Sequence, residues 1–193
     1  MTQLHNALQQ MGLSALDFSE HEHTFLDQFL NISAPLFDKI CQHRPDKPSH
    51  DLILGLLTKS HQEALDNFQA TEPKTAELKA MFSDKIGAEH ADKFTELSHD
   101  EVTVISTLWF MAQGYTGIDY SYANDHAVEI AEKLNKDATA ETRQEKTEHY
   151  RNRFMKAYYT GIDFARKESK TNTPSANFAE AIKNGLKRLL GKR

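Results

Sequence analysis

The chain has 193 residues, of which 26% are charged and 39% hydrophobic, and a net charge of −5. That balance fits a single globular domain with its own core and excludes a disordered, highly charged chain. One cysteine, Cys41, excludes an internal disulfide framework, and no basic stretch leads into an apolar one at the start, so the expected location is the cytoplasm.

Helix signals run along the chain. Leu4, Leu8 and Met11 fall on one face of a short first helix. Ser19-Glu20-His21-Glu22 has the form of a capping box, followed by Phe25, Leu26, Phe29 and Leu30 at helical spacing. Ser33-Ala34-Pro35 predicts the start of another short helix, and 43–49 reads as a proline-punctuated loop. Ser49 opens a longer helix with Ile53, Leu56, Leu57, Ala64 and Phe68 inward. Pro73 marks the next start, with Leu78, Met81, Phe82 and Ile86 inward and Gly87 as its stop.

A second capping box, Ser98-His99-Asp100-Glu101, launches a helix whose residues 102–118 carry no charge. That stretch is at the short limit for a membrane span and contains Thr, Ser, Gln and Gly, so it reads as a buried central helix. Asn124 or Asp125 is expected to cap a shorter helix with Val128, Ile130, Ala131 and Leu134. A charged helix follows from about Thr139, and Pro174 begins a tail helix. No run of alternating β-branched residues is present. The fold class expected is all-α, a single domain over 1–193 with about eight helices.

The chain also repeats itself. Shifting it by 44 positions aligns 101–120 with 145–164 at nine identities, where composition alone gives roughly one. Tyr115-Thr116-Gly117-Ile118-Asp119 recurs as Tyr159-Thr160-Gly161-Ile162-Asp163. The reading is a duplicated helical hairpin, with units over roughly 98–136 and 142–190. Each glycine is expected to lie in a continuous or kinked helix and to mark a close helix crossing. Gly117, in the apolar helix, is expected to be the more sensitive. The competing arrangement ends a helix at the glycine and lets the aspartate cap the next one. Exchanged bonds, Tyr115 to Asp163 and Tyr159 to Asp119, are expected to lock the crossing.

Other constellations are thinner. Ten histidines invite a metal reading, and Glu20/His23 and Glu96/His99 have the Glu-x-x-His spacing of bundle metal sites. Both pairs overlap helix starts, where capping already accounts for their polar atoms. Glu145/His149 is a one-turn pair that fits a surface ion pair equally well. Cys41 reads as a small buried hydrophobe. From Arg166 onward eight Lys/Arg stand against Glu168 and Glu180, a balance of +6 that leaves −11 for the residues before it. Lys183, Lys187 and Arg188 lie off the apolar stripe of the tail and could meet an anionic partner.

The function expected is a non-enzymatic interaction or regulatory protein without a cofactor or a transmembrane segment. Its expected partner is a second copy or another protein. One alternative is a small helical metal-binding protein or enzyme using Asp119, Asp163 and nearby histidines. Another is binding of an anionic surface or nucleic acid by the basic tail.

Overall fold

The computed structural model describes residues 2–69 and 97–171, and within them all regular structure is helical. The expected helix behind Pro73 and the tail helix behind Thr173 lie outside the described residues. Among the described residues the six α-helices are α1 (Gln3–Gln10), α2 (Glu20–His43), α3 (Ser49–Gln69), α4 (His99–Thr116), α5 (Tyr120–Leu134) and α6 (Ala140–Thr171). A short 3-10 turn, Leu13–Ala15, follows α1.

Local sequence sets several of these boundaries. Both capping boxes form: the Ser19 and Ser98 hydroxyls accept from Glu22 N and Glu101 N, and each glutamate accepts in return from the serine N–H. Pro35 behaves otherwise than expected, since α2 runs through it without starting afresh. Pro35 and Asn31, four residues earlier, are both exposed. The Asn31 carbonyl that loses its helical donor therefore lies on the solvent side, where water can serve it. Buried Ser33, Ala34 and Phe37 on the other face keep the helix against the core.

The centre of the core is α4, buried continuously from Val102 to Gly114. Its neighbours are α3, α2 and α6, while α5 packs mainly on α6. Facing pairs Thr58–Trp109, His61–Ser106 and Phe68–His99 show that α3 runs antiparallel to α4. Pairs His99–Tyr150, Phe110–Phe154 and Tyr115–Glu168 show that α6 runs parallel to it. The two phenylalanines stack with centroids 5.1 Å apart and planes at 15°.

A fully surrounded helix must satisfy its own polar side chains. The Thr103 hydroxyl donates to His99 O at 2.8 Å and that of Thr107 to Thr103 O at 2.7 Å. Ser106 Oγ lies 3.0 Å from His61 Nε2, and Trp109 Nε1 donates to Thr58 Oγ1 at 3.1 Å. Among the described residues, no helix is long and apolar enough to cross a membrane.

The middle of α6, from Arg153 to Phe164, is tied to residues 12–22 near the start of the chain. Glu22, 6% exposed, pairs with Arg153 at 2.8 Å, and Lys156 pairs with Asp17 at 2.7 Å. Gly12, at φ +100°, lies so close to Phe164 that an added Cβ would fall 2.2 Å from its ring. These contacts hold the N-terminal turn on the same helix that carries the second pentapeptide.

Candidate functional site

The two copies of Tyr-Thr-Gly-Ile-Asp adopt different structures. In the first, Gly117 ends α4 in the left-handed region at φ +78°. Ile118 N donates to Gln113 O at 3.0 Å and Gly117 N to Gly114 O at 3.3 Å, which together make a Schellman motif. Asp119 then caps α5, its Oδ1 accepting from Ser121 N at 2.8 Å and Tyr122 N at 3.4 Å. The helix therefore breaks here, and α5 begins at Tyr120, ahead of the expected caps Asn124 and Asp125. In the second copy Gly161 is buried inside α6, which continues unbroken to Thr171.

A close crossing is present, but it joins Gly161 to Gly114 and leaves Gly117 out. A Cβ on Gly161 would fall 2.1 Å from Met111 O and 2.7 Å from Tyr115 N. One on Gly114 would fall 1.9 Å from Tyr158 O, whereas Gly117 has nothing within 4 Å. Where each side chain would stand there is only a hydrogen aimed at the other helix, the geometry of weak Cα–H···O contacts.

The expected tyrosine–aspartate exchange does not form. Tyr115 donates to Glu168 one turn beyond Asp163, and burial together with this carboxylate pushes the phenol up to about 12. Asp119 is occupied as a cap, and Asp163, 65% exposed, stands 3.9 Å from Arg166 on its own helix. Tyr159 is half exposed and stacks on Tyr120, centroids 6.2 Å apart. The buried phenol beside the turn is Tyr158, which donates to Ile118 O at 2.6 Å. Tyr158→Phe should cost about 1 kcal/mol in urea unfolding, while Tyr159→Phe should leave the midpoint unchanged. Equal effects would show that the Ile118 carbonyl does not hold this ring.

Between the α4–α5 turn and the last turns of α6 lies an open groove of about 630 Å³. Its floor is Ile118, Tyr158, Ile162 and Ala165, and Tyr120, Arg166 and Lys170 stand at its margin. Positions 158, 162, 165 and 169 follow helical spacing, so one face of α6 forms one wall. Tyr120 and Tyr159, at 45% and 50% exposure, are two of the three exposed large hydrophobic residues among those described. Both fragments of the repeated pentapeptide thus contribute to one surface.

The other candidates are scattered. His23 lies edge-on to Phe18 at the start of α2, near Glu20. His99 sits between Leu134 O, 3.0 Å from Nε2, and the Tyr150 hydroxyl, 3.3 Å from Nδ1. Glu145 and His149 are exposed on α6. Glu96 and the cations Lys183, Lys187 and Arg188 lie outside the described residues. Among the described residues no three His, Cys, Asp or Glu side chains stand together as metal ligands. Cys41 is half-buried and pushed up first by burial and then by the Asp38 charge, so its thiol stays protonated.

Gly114, Tyr158 and Glu168 were not singled out by sequence reasoning. The repeat drew attention to residues that recur, and position 114 pairs with Tyr158 across the 44-residue shift. A glycine inside an uncharged helical run, three residues ahead of Gly117, was the available signal. Comparison with family models, with curated proteins and with solved structures gives no match to this chain.

Proposed function

We propose that this chain is a cytoplasmic, non-enzymatic interaction protein that docks a protein partner in the groove between the α4–α5 turn and α6. The observation that carries the proposal is an open apolar floor with exposed Tyr120 at its margin, itself stacked on the exposed Tyr159. Tyrosine gives large contact area with few rotatable bonds and a polar tip that tolerates water before a partner arrives. The same reading takes the chain as about eight helices with a duplicated hairpin in its C-terminal half. Its support is the 44-residue offset that relates the stacked Phe110 and Phe154.

Selection of helical peptides from a displayed library against the full chain tests the docking face. The binders obtained should weaken by about tenfold or more on Tyr120→Ser with Tyr159→Ser. The melting curve of that variant should match the parent, because both side chains are half in water. Binders indifferent to the double change, or no binders at all, would end the reading.

A further inference from the structure

Resting on that docking reading, we infer that the groove takes an acidic amphipathic helix of a partner protein, apolar face down and carboxylates against Arg166 and Lys170. Charge at the groove carries the choice. Of its lining residues, Asp119, Arg166 and Lys170 are the charged ones. The Asp119 carboxylate is already used: it accepts two backbone N–H groups at the start of α5, where the helix dipole offsets its charge. The Arg166 side chain is 73% exposed, and its contact with Asp163 is long, at 3.9 Å, and also exposed. Such a pair holds its partners weakly and leaves the guanidinium able to turn to another carboxylate. Glu168, nearby on α6, accepts the Tyr115 hydroxyl toward α4. The margin thus presents two cations beside an apolar floor, with its own acid committed elsewhere.

Shape and sign narrow the occupant further. The groove is open along α6 and its floor follows helical spacing, which suits the apolar stripe of a second helix. The chain's own stretch from Pro174 carries five Lys/Arg against Glu180. That is the same sign as the margin, so neither this stretch nor that of a second copy matches it. Carboxylates on one side of a leucine face do match it.

The test uses the full chain and two fluorescein-labelled amphipathic peptides of about 15 residues, one of Leu, Ala and Glu and one with Lys in place of Glu. By fluorescence polarisation the Glu peptide should bind about tenfold or more tighter than the Lys peptide, with the gap narrowing as salt is raised. Arg166→Glu with Lys170→Glu should invert the preference, and Ile162→Asp should weaken both peptides. Equal binding of the two peptides, still lost on Ile162→Asp, would remove the acidic class and leave the docking face standing. Binding of neither would end both. A dimer that forms without peptide, excludes it and survives the charge reversal would assign the groove to a second copy and overturn the inference.

Discussion

Gly161→Ala should lower the melting temperature by roughly 6–12 °C, equivalent to about 3 kcal/mol for a chain of this size. The direction is opposite to intrinsic preference, because alanine inside a helix is worth about 1 kcal/mol more than glycine. The added methyl would lie 2.1 Å from the Met111 carbonyl oxygen and 2.7 Å from Tyr115 N, both of them backbone atoms of α4. A flexible side chain could swing aside, but main chain locked in α4 cannot. The two helices would have to separate by more than about 1 Å to restore an ordinary carbon–oxygen contact of roughly 3.3 Å. That movement opens the Phe110–Phe154 stack and the Tyr158–Ile118 bond on either side of the crossing.

Gly114→Ala meets Tyr158 O at 1.9 Å and should be as damaging. Gly117→Ala has open space and carries only the cost of a left-handed backbone, about 1 kcal/mol. Thermal melts of the three single variants check the order. A Gly161→Ala protein that melts with the parent, or no lower than Gly117→Ala, would place the crossing elsewhere.

The contrast between Gly117 and Gly161 marks where sequence stops being sufficient. Capping boxes at Ser19 and Ser98 were legible because both donors and acceptors lie within four residues of one another. The continuity expected at Gly161 holds, whereas the break at Gly117 was not legible, since the five residues are the same in both places. After Gly117, Asp119 finds the N–H groups of Ser121 and Tyr122 and turns the chain back along α6. After Gly161 the helix is held straight by distant partners: Phe164 rests on Gly12 and Glu168 accepts the Tyr115 hydroxyl. Nothing within the pentapeptide encodes either set. Pro35 teaches the same lesson in reverse, because its local signal to start a helix is overridden by buried Ser33, Ala34 and Phe37 around it. As for the groove, its tyrosine and isoleucine were visible in the repeat, whereas Arg166 and Lys170 join it because the break at Gly117 sets the α4–α5 turn beside them.

The largest effect of pH should come from His61. It is 3% exposed, stacked on Trp109 with centroids 4.2 Å apart, and 3.0 Å from the Ser106 hydroxyl. Burial first, then the charges of His126 and Lys133, pushes the imidazole down to about 3 from 6.5. The sign follows from proton counting. Between those two values the unfolded chain binds a proton that the folded chain refuses, so stability rises with pH across the window. The contribution is complete above about pH 7 and is lost as pH falls below 6.5, with a slope approaching about 1.4 kcal/mol per unit. Ten histidines blur the parent's own acid transition, so the measurement is a difference. His61→Gln keeps an amide to meet Ser106 but cannot titrate. Urea unfolding of parent and variant from pH 7.5 to 4.5 should show the variant less stable at neutral pH, through lost stacking on Trp109. The gap should close, and then reverse, as the parent loses stability with acid. Two curves that stay parallel down to pH 4.5 would mean that His61 takes its proton inside the core, and that the face between α3 and α4 opens to let it.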